Sequence, residues 1–322
     1  MASRKAVVKW LLDSDPSIRW QALRDLTDGP EEVVAAERSR VAYEGWGARL
    51  LELQSEDGDW GDDRRHGWMT TNDALAMLRE LGADPADERV RRAIALVQER
   101  ITWWQIDGRP FFDGETEACI NGRILASGAY FGAPVDRLLE RLLGEQLEDG
   151  GWNCEAPPST RSSFHSTICV LDGLLAYEKA HGPTAEVTYA RARAHHYLLE
   201  RHMLRSVASG EVIDVRWTRF SFPPVWHYDV LRGLDYLRSA GVEPDERVAE
   251  AVALVEKRRH QNGRWPLNVL HEQRVATFEM ETSVGSASRW NTLRALRVLD
   301  WAARLRDAAQ AELLLITPVG AS

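Results

Sequence analysis

Polar side chains able to move protons cluster at five places in this chain. Each stands at the start of a segment that then turns apolar. Asn72 and Asp73 open one; Glu117, Cys119 and Asn121 open the next; His165 follows. Trp226, His227 and Asp229 sit together further on, and Trp290 and Asn291 open the last. Asp and His in such positions are candidates for general acid and base, because partial burial brings their pKa values toward neutrality. Asp73, His227 and Asp229 are therefore the expected catalytic groups. Asn72, Asn121, Trp226, Trp290 and Asn291 are expected to contact a substrate, as are Glu279 and Glu281 in the Phe-Glu-Met-Glu-Thr stretch 278–282. In an extended loop those two carboxylates share one side.

The segments that must position these groups repeat. IRWQALRDL (18–26), TTNDALAML (70–78), EACINGRIL (117–125), SFHSTICVLDGL (163–174), VWHYDVLRGL (225–234) and SRWNTLRAL (288–296) recur at intervals of roughly fifty to sixty residues. Between them lie partner segments over 2–12, 31–53, 87–104, 135–146, 185–203 and 245–259. Apolar residues in both sets are spaced by three and four, the period of a helix and not of a strand. Pro and Asp at 13–17, 82–87, 132–136, 181–184 and 241–245 suit helix starts. The pattern predicts an all-α chain of paired helices forming a single domain over 1–322. An excursion is expected over 206–224, and a mobile tail over 308–322.

A second motif falls where outer helices end. Gln54 to Trp60, Gln105 to Phe111, Gln146 to Trp152 and Gln261 to Trp265 each run from a glutamine through an Asp-Gly or Asn-Gly turn to an aromatic ring. Glycine supplies the positive φ of the turn.

With these turns and the repeat, the chain resembles the terpenoid cyclase and protein prenyltransferase superfamily, the squalene-cyclase-like α/α toroids with QW repeats. The likeness runs from about Ile18 to Asp300. It implies a closed barrel of six inner helices ringed by six outer ones, a cavity at the N-terminal ends of the inner helices, and Gln-to-Trp turns acting as staples. Squalene-type cyclases protonate their substrate from an Asp-rich motif on an inner helix. No such motif occurs here, and Asp62-Asp63, directly after a turn with Arg64 and Arg65, reads as solvated surface. In the prenyltransferase branch the resemblance implies a zinc site at Glu117, Cys119 and His165, with Glu where that branch has Asp.

Composition narrows the classes. The 322 residues are 44% hydrophobic and 28% charged, with a formal net charge of −9 and no basic run to suggest a nucleic-acid surface. No apolar run approaches the roughly 18 residues of a membrane span. Three cysteines are too few for a disulfide framework and read as reduced thiols. With no export signal, a cytoplasmic location is expected. Thirteen tryptophans can fill a core or wall a cavity. The leading expectation is a cyclase- or isomerase-like enzyme acting on an apolar, plausibly isoprenoid, small molecule. A zinc-dependent prenyltransferase-like enzyme and a non-catalytic lipid- or protein-binding toroid are the alternatives.

Overall fold

The computed structural model describes residues 3–61, 67–271, 280 and 283–316. The chain is mostly helical. Its helices are α1 (Arg4–Leu12), α2 (Pro16–Leu26), α3 (Glu31–Ser39), α4 (Gly45–Glu52), α5 (Gly67–Leu81), α6 (Glu88–Arg100), α7 (Ala118–Phe131), α8 (Asp136–Gly144), α9 (Phe164–His181), α10 (Ala185–Glu200), α11 (Val230–Ser239), α12 (Ala249–Lys257) and α13 (Arg289–Ile316). The last continues through 308–316, part of the expected tail. Among the described residues no helix is long and apolar enough to cross a membrane.

Local chemistry explains most boundaries. Asp15, Asp87, Thr184 and Asp229 cap α2, α6, α10 and α11 by accepting first-turn N–H groups. Pro16 follows its cap at the first helical position, where its missing N–H costs nothing. The segment expected as one helix over 31–53 is two, because the chain turns at Gly45 with φ +66°. A Cβ there would lie 1.9 Å from Asp15 Oδ2. That oxygen accepts the Trp46 N–H at 2.8 Å, so Asp15 serves the starts of both α2 and α4. The helix expected over 87–104 stops at Arg100. The chain then forms a short antiparallel hairpin, β1 (Thr102–Trp103) with β2 (Arg109–Pro110). The excursion over 206–224 contains a 3-10 turn at Val215–Thr218 and an isolated bridge from Ser221 to Val269.

Helices apolar on all sides belong in a core, and those with one apolar stripe belong outside it. α7 and α9 are buried along most of their length, whereas α8 buries only Leu138, Leu139 and Leu142. Where α7 crosses α9 the backbones touch. A Cβ on Gly122 would sit 2.5 Å from the carbonyl of Cys169, and one on Gly173 would sit 2.6 Å from Gly122 O. The other helices of this alternate set are joined by side chains. Trp20 and Gln21 of α2 donate to the carbonyls of Leu81 and Glu80 in α5, both at 3.0 Å. Arg123 of α7 pairs with Asp73 of α5 at 2.5 Å, and Arg232 of α11 with Asp172 of α9 at 2.9 Å. Arg294 of α13 lies 3.6 Å from Asp235 of α11. Arg297 of α13 reaches back to Gln21 of α2 at 2.8 Å and also pairs with Asp25.

The Gln-to-Trp turns work by hydrogen bonding. The indole N–H groups of Trp60, Trp152 and Trp265 donate at 2.7 Å to Leu50, Leu142 and Val255, each ten residues earlier. Gln54 donates to Gly58 O and Ala93 O, and Gln146 to Gly150 O and Ala190 O, so each ties its own turn to the next outer helix. In the second turn Trp103 does the stapling instead: it donates to Phe111 O and stacks on the Phe111 ring at 5.4 Å.

The α7–α9 crossing predicts a sharp contrast between two glycines. Gly122→Ala forces two backbones apart and should destabilise by about 1–3 kcal/mol. Gly144→Ala, with nothing within 4 Å of the added carbon, should be neutral or stabilise by up to about 1 kcal/mol. Urea denaturation of the two variants measures both.

Candidate functional site

A cavity of about 610 Å³ opens at the N-terminal ends of α5, α7 and α9, beside the loop that leads into α11. Its lining brings together Asn72 and Asp73, Glu117 and Cys119, His165, and Trp226 and His227. The sequence motifs singled out all seven. It also holds Arg123, Asn153, Cys154 and Ser166, which the motifs did not. The reason for the convergence is simple. Each helix of the set starts at the same end, so first-turn side chains from different repeats face one space.

The cavity has three chemical zones. The first is a carboxylate–guanidinium pair, Asp73 with Arg123, both side chains mostly buried. The paired carboxylate lines the cavity and is placed to orient a polar group of a ligand.

The second zone is a thiol pair. Ligand atoms of Glu117, Cys119 and Cys154 lie within 4.8 Å of one another. The Cys154 sulfur accepts the Cys119 backbone N–H at 3.2 Å, a free donor of the first turn of α7, and lies 3.2 Å from Ser166 Oγ. Hydrogen bonding from Cys119, helped by Ser166, brings the Cys154 thiol down to about 7. The same interaction, together with burial, pushes the Cys119 thiol well up. Cys119 also directs its sulfur to Glu117 Oε2 at 3.6 Å. All three cysteines are free.

The third zone is a group of imidazoles. His165 Nδ1 accepts the Tyr228 N–H at 2.8 Å, which sets its tautomer and leaves the ring edge-on to Trp226 and His227. His227 is stacked between Trp226 at 3.7 Å and His271 at 3.6 Å. Burial, reinforced by the Arg232 charge, lowers His165 to about 4. Burial and then the neighbouring His271 and His165 lower His227 to about 3. Both rings are neutral at pH 7.

The other expected site residues lie elsewhere. Asp229 is buried outside the cavity, where its carboxylate caps α11 through Arg232 N and accepts the N–H and O–H of Ser221. Asn121 is spent on the Glu115 backbone, accepting its N–H and donating to its carbonyl. Trp290 stacks on Phe222 at 4.3 Å, and Asn291 donates to the carbonyls of Phe220 and Pro266. Glu279 and Glu281 fall outside the described residues, as do Asp62 and Asp63. His165 lines the cavity but is not in the Glu117–Cys119–Cys154 group.

No protein-family model matches the chain, and no curated protein matches it. Among solved structures it is similar to a protein from Actinoplanes, at 16% identity and a TM-score of 0.46, over 94% of this chain and 100% of that one. It is also similar to the type II terpene cyclase MstE from Scytonema, at 16% identity and a TM-score of 0.46, over 90% and 88% of the two chains. Likenesses this weak decide neither fold nor function.

The thiol pair yields a direct test. In metal-free protein, alkylation of Cys154 by iodoacetamide should rise through a midpoint near pH 7, because the thiolate reacts and the thiol does not. Ser166→Ala removes one stabilising partner and should move that midpoint upward. Cys119 should stay largely unmodified over the same range. Peptide mass spectrometry after timed alkylation separates the two sulfurs.

Proposed function

We propose that this chain is a single-domain α/α toroid of six inner and six outer helices, and that it acts as a cyclase- or isomerase-type enzyme on an apolar, isoprenoid-like small molecule. Support for the toroid comes from the run of links α2–α5–α7–α9–α11–α13 and back to α2. The Gln-to-Trp staples add to it, since they repeat at the ends of outer helices. The observation that carries the enzyme reading is the convergence of proton-handling groups from several repeats on one cavity of about 610 Å³, a size that suits a small-molecule ligand.

The roles follow from the environments. Asp73, held by Arg123, orients the substrate or takes up a proton. The neutral imidazoles of His165 and His227 line the same space and can hydrogen-bond a substrate without adding charge to it. The Trp226 face, partly exposed at the mouth, offers π density to a cationic intermediate. Three free cysteines agree with a reducing, cytoplasmic setting. Incubation with a panel of linear isoprenoid alcohols and diphosphates should give saturable thermal stabilisation and a rearranged product by gas chromatography–mass spectrometry. Asp73→Asn should lower turnover by about 100-fold or more while leaving binding largely intact. Absence of binding across the panel would remove this reading.

One observation favours a metal-dependent variant. The donor set at the thiol pair fits zinc by kind and number: two sulfurs and a carboxylate, with room left for a fourth position. Glu117, Cys119 and Cys154 would hold the ion, with Cys154 in the place that the resemblance gives to His165. Zinc there would supply Lewis acidity or lower the pKa of a bound nucleophile. Metal analysis of tag-free protein should find about one zinc per chain, lost in Cys119→Ala and Cys154→Ala and kept in His165→Ala. Loss in His165→Ala would restore the original ligand set, and no metal in wild type would remove the variant.

A further inference from the structure

A second cavity, of about 460 Å³, lies at the opposite end of the same helices and shares no lining residue with the site above. Its walls come from the C-terminal turns of α2, α5, α9 and α11, which place Arg24, Arg79, Lys179 and Arg238 around one space, with Arg232 and Arg294 deeper in. The nearby carboxylates do not balance them. Asp25 is shared between Arg24 and Arg297, and Asp235 between Arg238 and Arg294. Asp172 serves Arg232, and Glu80 serves one end of Arg79, whose buried Nε has no partner.

A basic residue in a last turn is ordinary, because the free carbonyls there carry about half a negative charge per helix. Four helix ends supply roughly two negative charges in this way. The cations exceed the carboxylates by more than that. Loss of water, and then the positive charges of Arg238, Arg79, Arg24 and Arg191, lower the Lys179 ammonium below its usual range. Folding alone does not explain holding like charges around an open space; a bound anion does.

We propose that this cavity is a binding site for a compact polyvalent oxyanion of the diphosphate class, held by Lys179, Arg79 and Arg238. Guanidinium forks match phosphate oxygens two at a time, and the lysine adds a mobile point charge. The unpartnered Arg79 Nε gains an acceptor, and the like charges gain a counter-ion. A monovalent anion leaves much of that surplus in place, so the site should prefer diphosphate to chloride and to monobasic phosphate.

The test is calorimetric titration of the whole protein with inorganic diphosphate, free of divalent cations and at constant ionic strength set with sodium chloride. Wild type should bind about one diphosphate saturably. Lys179→Gln should weaken binding at least ten-fold, and Lys179→Arg should keep it within about three-fold. Lys179 is an exposed residue of the cavity wall, so neither change disturbs the core. Cys154→Ala, at the other cavity, should bind as wild type does. No saturable binding, equal binding by wild type and Lys179→Gln, or loss in Cys154→Ala would each overturn the proposal.

Discussion

The contact between Gly122 and Gly173 is what the candidate site depends on. At that crossing the backbones of α7 and α9 meet with no side chain between them. Close approach there draws the N-terminal turns of the two helices together. Cys119 and Arg123 on one helix then face His165 and Ser166 on the other. The Cys154 loop is held in the gap, with its sulfur on the Cys119 N–H and its own N–H on Ser166 Oγ. A larger residue at either glycine would widen the crossing and disperse the thiol pair.

The staples solve a different problem. The outer helices that carry these turns end well before the next helix of the central set begins, and the loop between must be fixed if its residues are to line a cavity. An indole N–H returned to a carbonyl ten residues earlier buries the ring and closes the turn. The glutamine of the first and third turns then ties that turn to the following outer helix. In the third repeat, Trp152 also donates its backbone N–H to Thr167 Oγ1 in α9. The cavity loop at Asn153 and Cys154 therefore leaves from a point fixed on both sides.

Electrostatics divide the molecule end from end. The N-terminal mouth holds imidazoles lowered by burial, a thiol brought down to about 7, an ion-paired carboxylate, and the Glu117 carboxylate beside the thiols. At the C-terminal end, arginines crowd around shared carboxylates. The direction of the helices produces this contrast. Free N–H groups at one end stabilise an anionic sulfur, and free carbonyls at the other attract basic side chains.

The sequence alone determined the helical class, the repeat, the Gln-to-Trp turns and the end of the molecule where polar groups gather. These follow from spacing along the chain, which needs no knowledge of neighbours. It also picked out seven residues that line the cavity, since first turns of parallel repeats face the same way. Only the tertiary structure decided which of the singled-out residues share that space. Asn121, Asp229, Trp290 and Asn291 have the same kinds of position in sequence, yet their polar atoms or rings are taken up by nearby backbone, caps and stacking. Cys154 follows directly on a Gln-to-Trp turn, a place that could have flagged it. Arg123 and His271 carried no such signal, for one is a lone basic residue in a helix and the other comes from a loop distant in sequence. Partnership across a cavity depends on crossing angles and close approach between elements far apart in the chain, and those distances are set by packing.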